Sequence, residues 1–393
     1  MAFGDFTVDR NSAKYVLGSG GSYVSYATDE PAFEFNSDGS YKGLLVEPAS
    51  TNQIRNGSGT GAVVGTPGTL PFFWSASAGG LTQEIVATGT ENGVAYVDIK
   101  LSGTASSNSA AIFLEATTTI SATDGETWTQ SVFLKEIDAT SNYDDISFRA
   151  YNYTSAPAFV NVNNGSSLTV TTDLERYEST WTLSGATIAY SNPSILFFLT
   201  NGNSYDFTIR IGWAQYEESV IATSPIPTTT ASVTRNKDDI NLTSASSLIG
   251  QTEGTLYVEV DWRLATGTEP SLLSASDGTT NNRVVIYKNN TDELRMFAQA
   301  NADIKTNQGA SSTGFSGIQK IAFAYKTNDF ELYRNGSSVS SDTVGSLAAL
   351  ATLTDIDLGQ SYNASNQANM WIRSVALFTR RLSDAECQAL TTL

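Results

Sequence analysis

The chain has 393 residues, 40 acidic against 22 basic, for a formal net charge of −18, with one cysteine and no histidine. So negative a surface repels a phosphate backbone, which argues against nucleic acid as a partner. A lone Cys387 excludes an intrachain disulfide, and the missing imidazole excludes Ser-His-Asp and Cys-His triads, the commonest zinc ligand and the usual proton shuttle near neutral pH.

Apolar residues at 40% and charged residues at 16% describe a folded chain. Abundant Gly, Ser, Thr and Asn favour short strands joined by turns over long helices. The length is enough for two or three domains. The opening "MAFGDFTVDRNSAKY" has neither a basic n-region nor an apolar h-region, and no apolar run approaches the roughly 20 residues of a membrane span. Synthesis without a Sec signal and no membrane insertion are therefore expected.

Residues 1–69 read as an irregular segment of short β pieces punctuated by "LGSGGSY" and "NGSGTGAVVGTPGT", with aromatics spaced singly. Within it, "GLLVEPASTN" places Leu44, Leu45 and Val46 in a strand. That strand stops at Glu47-Pro48, because proline removes a ladder donor and forces the preceding residue into extended geometry. Glu47 is expected to pair with Arg10 or Arg235 and to act as a structural joint.

Residues 70–222 contain a series of strand-like runs, among them "GVAYVDIKL", "TWTQSVFLKE", "DDISFRAYNY" and "YDFTIRIGWAQYE". In the last, Phe207, Ile209 and Ile211 share one face while Thr208 and Arg210 share the other, the alternation of a half-buried strand. Turn clusters such as "SATDGE" separate the runs and predict an antiparallel jelly roll.

Residues 223–239 carry the prolines and threonines of "ATSPIPTTTASVTRNKDD" and read as an extended linker. Residues 240–393 form a second strand series. In it, "IAFAYKTNDFELYRNG" predicts a hairpin with Lys326 to Asp329 at its tip. The tail "SDAECQALTTL" predicts a short helix with Ser383 as N-cap, Glu386 three residues on, and Leu382 and Leu390 packing beneath. The fold class expected is all-β: two antiparallel β-sandwiches of jelly-roll type, an irregular N-terminal segment and one C-terminal helix.

No dinucleotide fingerprint, Walker A loop, EF-hand or CxxC pair is present, and no solenoid repeat. Three chemistries remain. In "LYVEVDWRL", alternation directs Tyr257, Glu259, Asp261 and Arg263 to one face and Leu256, Val258, Val260, Trp262 and Leu264 to the core. Two carboxylates on alternate residues resemble the E-x-D-x-E strand of laminarinase-type glycoside hydrolases, which act through a carboxyl pair. Here the third position is Arg263, and a cation there holds carboxylates ionised, which is wrong for a general acid. A non-catalytic protein is the expectation, with polysaccharide degradation as the alternative.

Calcium is the second candidate. Asp and Asn near Gly in "NSDGS", "SATDGE", "SASDGTTNNR" and "LTDIDLG" supply the oxygens a hard cation takes, but also suit turns for their own reasons. A structural calcium ion is open and no site can be placed. The third is glycan binding through exposed aromatics flanked by amides, with Tyr151, Tyr153, Tyr257, Tyr287 and Tyr362 as candidates.

Three resemblances follow. Residues 250–393 resemble a laminin-G-like, concanavalin-type domain through "GTLYVEVDW", "KIAFAYKTNDFELYRNGSSV" and "WIRSVALFTRRLSDAECQAL"; where the family often has an acidic residue after the isoleucine, this chain has Arg373. Residues 70–222 resemble carbohydrate-binding jelly-roll modules through "TWTQSVFLK", "RYESTWTL" and "IRIGWAQYEES". The calcium-holding carboxylate of their last strand has no counterpart here before Glu217.

The segments "FTVDRNSAKYV", "GLLVEPASTNQIRNGS" and "QYEESVIATSPIPTTTASVTRNKDDI" resemble bacteriophage tail and virion-associated proteins. This last resemblance implies a virion structural protein of a tail or fibre, assembled in the host cytoplasm with other virion proteins and as a homo-oligomer. It implies attachment to host cell-surface polysaccharide; a purely structural capsid or tail decoration protein is the alternative.

Overall fold

The computed structural model describes residues 5–138, 142–263, 268–362 and 365–393. Strands in chain order are β1 (Thr7–Asp9), β2 (Lys14–Leu17), β3 (Tyr23–Tyr26), β4 (Phe33–Phe35) and β5 (Tyr41–Val46). Then come β6 (Ser50–Asn52), β7 (Ser75–Ser77), β8 (Thr82–Glu91), β9 (Val94–Thr104), β10 (Ser109–Phe113) and β11 (Thr127–Glu136). These are followed by β12 (Asp145–Tyr153), β13 (Phe159–Ser167), β14 (Glu175–Thr182), β15 (Tyr190–Phe198), β16 (Ser204–Glu217) and β17 (Val233–Arg235).

The C-terminal series is β18 (Asp239–Leu242), β19 (Glu253–Trp262), β20 (Ser271–Ser276), β21 (Arg283–Lys288), β22 (Glu293–Ala300) and β23 (Asp303–Ser311). It continues through β24 (Gly317–Lys326), β25 (Asp329–Arg334), β26 (Ser337–Asp342), β27 (Asp355–Leu358) and β28 (Met370–Phe378) to the helix α1 (Asp384–Thr391). The all-β class, the antiparallel sandwiches and the single short C-terminal helix are as the sequence predicts. Among the described residues no helix is long and apolar enough to cross a membrane.

Two compact units divide the chain, but not at the expected boundaries. One comprises residues 1–21, 25–49 and 236–393; the other comprises residues 22–24 and 50–235. The segment 1–69, expected to be irregular and to pack against something larger, is thus divided between the two units. Its strand β5 hydrogen-bonds to β28, with Leu44 opposite Ile372 and Val46 opposite Met370. Leu44 and Val46 enter the core beside Val258, Val260 and Ile372, so burying this strand completes the C-terminal sandwich. The expected linker 223–239 also holds ladder pairs: β17 pairs with β6, Arg235 opposite Ser50. Pro225 and Pro227 lie ahead of the strand and leave its ladder donors intact.

In the first unit, a seven-stranded sheet ordered β1-β18-β27-β20-β21-β22-β23 packs on another ordered β26-β25-β24-β19-β28-β5-β4. Inward side chains of both, such as Val284, Ile286, Met296, Val258, Phe323 and Ile372, form one core. The β24–β25 hairpin turns between Lys326 and Asp329. The next hairpin, β25–β26, turns on Asn335 and Gly336, both at positive φ (47° and 82°). That geometry fits the twist of the flanking strands and suits this residue pair.

α1 is capped as its sequence requires: Ser383 accepts from the Glu386 backbone N–H and the Glu386 side chain returns to Ser383. It covers Tyr257, Ala322, Ala324 and Tyr333, with Leu382, Cys387 and Leu390 packed there.

In the second unit, a five-stranded sheet ordered β13-β12-β15-β10-β7 packs on one ordered β14-β11-β16-β9-β8. Phe207, Ile209 and Ile211 point into its core with Phe148, Phe197 and Trp128.

Candidate functional site

On β21 the alternation of "RVVIYK" sends Val284 and Ile286 into the core and leaves Arg283, Val285 and Tyr287 on the outer face of the first unit's sheet. Register places Val285 opposite Phe297 and Arg283 opposite Gln299 on β22. Together with Ser271, Ser361, Asn366 and Glu269 these residues line a cleft of about 200 Å³.

Arg283 is the distinctive group there. Its guanidinium carbon lies 4.8 Å from the Phe297 ring centroid and 5.8 Å from that of Tyr362. Nη1 donates to Ser361 Oγ at 3.4 Å, while Nε is buried without a hydrogen-bond partner. Among the described residues it forms no ion pair with a carboxylate, although acidic residues outnumber basic ones 40 to 22. Burial lowers its pKa, and the tyrosines Tyr362 and Tyr287 oppose that only in part. A half-buried guanidinium that forms no ion pair among the described residues, in a cleft that Glu269 also lines, has donors left for an anion.

Tyr287 flanks it, its ring 6.3 Å from Phe297 and edge-on, and its hydroxyl donates to Asn307 Oδ1 at 2.9 Å. Burial raises the Tyr287 pKa. The structure therefore brings two of the five predicted tyrosines, Tyr287 and Tyr362, to one arginine that the sequence did not single out.

Tyr362 also borders a second cleft, of about 230 Å³, whose walls include Asp239, Ser276, Asp355 and Asp357. Here parts of two predicted calcium loops, "SASDG" and "LTDIDLG", come together. Other carboxylates of these acidic turns already accept hydrogen bonds from the protein. Asp277 takes Thr279 and Asn282, Asp38 takes the Ser40 N–H at 2.8 Å, and Asp124 takes the Gly185 N–H at 2.7 Å. Among the described residues, no group of three or more His, Cys, Asp or Glu is arranged to hold a metal ion.

Tyr151 and Tyr153 lie elsewhere, on the outer face of β12 in the second unit. The Tyr151 ring is 5.5 Å from Phe113 and 6.4 Å from Phe159, and Tyr153 is 6.1 Å from Phe159. Arg149, two residues before Tyr151, stands 5.2 Å over Phe198; its Nε is buried without a partner and burial lowers its pKa. Each unit thus presents an arginine that, among the described residues, forms no ion pair and stands beside aromatics on a sheet face.

Tyr257 is not available to a ligand. The strand does direct it away from the core, but α1 covers that end of the sheet and leaves Tyr257 6% exposed. On the same face Glu259 Oε1 pairs with Arg373 Nε at 3.0 Å, and Arg373 Nη1 donates to the Tyr41 and Lys42 carbonyls. Arg373 is therefore the counter-ion of Glu259. Arg263 stands over Trp371 at 5.2 Å. Leu264 falls outside the described residues.

Glu47 is fully buried, and its carboxylate lies 3.0 Å from Lys14 Nζ. Lys14 also meets Asp238 Oδ2 at 2.6 Å, and Asp238 Oδ1 meets Arg10 Nη1 at 2.9 Å. Arg10 thus joins the Glu47 cluster through Asp238 and Lys14, two residues the sequence reading did not single out. Arg235 is buried in the other unit, on β17. Glu217, at the end of β16, accepts from Gln215 Nε2 at 2.6 Å and from the Thr223 N–H at 2.9 Å.

No protein-family model matches the sequence, and no curated protein matches it significantly. Among solved structures, the chain is similar to the CBM40 module of a Ruminococcus gnavus IT-sialidase, solved also with α2,3-sialyllactose. That likeness is at 17% identity over 37% of this chain and 86% of that one, with a TM-score of 0.32. It is similar to the NanB sialidase of Streptococcus pneumoniae at 18% identity over 39% and 26% of the chains, TM-score 0.33. A botulinum neurotoxin type C structure, described with two ganglioside molecules, is similar at 13% identity over 40% of each chain, TM-score 0.33. No role is transferred from these likenesses.

Proposed function

We propose that this chain is a non-catalytic attachment protein of a phage particle, and that its C-terminal sandwich binds acid-bearing surface glycans through the Arg283 cleft. The observation that carries the binding reading is Arg283 itself: a half-buried guanidinium with aromatic neighbours, a free Nε and no carboxylate partner among the described residues. A sugar carboxylate supplies the missing anion, Phe297 and Tyr362 offer apolar surface to the ring, and Asn366 and Ser271 stand within the cleft for hydroxyls. The phage context rests on the resemblance of residues 6–16, 43–58 and 215–240.

Catalysis is not part of this reading, because the carboxylate best placed by sequence, Glu259, is engaged by Arg373. Single-site affinity would be weak, and repetition of the chain with other virion proteins on one particle would raise it without new contacts. The test is an array of acidic and neutral glycans probed with the native protein and with Arg283→Gln. Binding restricted to acidic glycans and lost in the variant supports the reading; equal binding of neutral glycans by both proteins overturns it.

A further inference from the structure

The second cleft has a chemistry of its own. Asp355 and Asp357 come from β27 and Asp239 from the adjacent β18, on the outer face of the same sheet as Arg283. Asp239 accepts from Asn241 Nδ2 at 2.9 Å and Gln360 Nε2 at 2.6 Å. Asp357 is only 5% exposed, lines the cleft, and its Oδ2 has no hydrogen-bond partner. Among the described residues none of the three carboxylates forms an ion pair with lysine or arginine. Burial pushes Asp357 up to about 7, and the charges of Asp239 and Asp355 add to the effect. A buried acceptor surrounded by like charge gains most from a cationic donor.

A directly ligated metal ion is disfavoured by the geometry, since among the described residues no three acidic groups are arranged to hold one. An ammonium group is different: it carries three N–H donors on a small positive centre and needs no fixed coordination shell. The ring of Tyr362 borders both this cleft and Arg283, so one ligand can run from one subsite to the other.

We propose that the cleft bordered by Asp239, Asp355, Asp357 and Tyr362 binds the ammonium group of a non-acetylated amino sugar, beside the sugar acid that Arg283 takes. This rests on the acid-glycan reading of the Arg283 cleft and extends it to saccharides that carry both charges. The acid subsite reads the carboxylate, and the aspartates discriminate a free amine from its acetylated form, which has lost the charge.

The experiment titrates D-glucosamine, N-acetyl-D-glucosamine and D-glucuronate separately into isotope-labelled full-length protein and follows backbone amide shifts. Glucosamine should move the Ser276 and Gly278 amides saturably, N-acetylglucosamine should not, and Asp357→Asn should weaken the glucosamine effect at least tenfold. Asp355→Asn provides a second, more exposed variant if Asp357→Asn does not fold. Equal shifts with both hexosamines, an unchanged affinity in both variants, or calcium saturating these amides in place of glucosamine overturns the proposal. Glucuronate moving Val285 and Phe297 while glucosamine moves nothing overturns the amine subsite alone; no response to either sugar overturns both subsites.

Discussion

Lys14 and Glu47 form an ion pair 3.0 Å long in which neither side chain is exposed. Asp238 accepts a second bond from the same ammonium and a third from Arg10, so two cations face two carboxylates in the interior of the first unit. Glu47 also anchors backbone here: its N–H donates to Asp238 Oδ2 at 2.9 Å, and its carbonyl accepts from the Asp238 N–H at 3.0 Å. The strand β5 ends at a proline, and this cluster fixes where the chain leaves it.

Removing the cation at its centre leaves two carboxylates buried without their shared partner. Lys14→Met is expected to lower the unfolding free energy of this unit by about 3–5 kcal/mol, the usual cost of breaking a buried pair from one side. Urea unfolding compared with native protein checks this. A loss below about 1 kcal/mol contradicts the assigned role.

The capping box of α1 guards the face that hides Tyr257 and Cys387. Ser383→Ala removes the acceptor for the Glu386 N–H and is expected to cost about 1 kcal/mol. Cys387 is fully buried, with its thiol pushed up to about 11 by burial, so a thiol reagent reaches it only after α1 opens. Labelling of Cys387 should be slow in the native chain and several-fold faster in the variant; equal rates would show that α1 does not control access.

Asp357 predicts a pH dependence with a definite sign. Its folded pKa, about 7, lies above the ordinary 3.8, so the folded state binds the proton more tightly. The resulting stabilisation is complete below about pH 4 and is lost as pH rises through about 7, by up to about 4 kcal/mol. Asp357→Asn should flatten this part of the profile and melt higher than native protein at pH 8. Melting temperatures from pH 5 to 8 decide it; parallel profiles for the two proteins contradict the assignment.

Strand alternation made much of this architecture legible. "RVVIYK", "LYVEVDW" and "YDFTIRI" each send alternate residues, Val284 and Ile286, Leu256, Val258, Val260 and Trp262, and Phe207, Ile209 and Ile211, into the cores as the period-two rule requires. The cap at Ser383 and the β24–β25 turn follow from local chemistry and were equally readable. The insertion of one unit within the other was not, because nothing local to Leu44 announces that its partner is Ile372 at the far end of the chain.

Tyr257 shows the limit of the same rule, which gives the face but not the helix that later covers it. Lys14 escaped notice because a lysine in a short N-terminal strand reads as exposed. Arg283 did so because its distinction is the absence of a carboxylate across the register, and register is a property of paired strands.

The central claim is that Arg283 takes the carboxylate of a surface glycan. Isothermal titration of an acid-bearing oligosaccharide found on the array, against native protein and Arg283→Gln, tests it most directly. Removing a charge-assisted bidentate contact should weaken binding by about 1.5–3 kcal/mol, roughly ten- to a hundred-fold, and the neutral counterpart of the same sugar should bind both proteins equally poorly. An acidic glycan that binds the variant as tightly as the native chain would contradict the account.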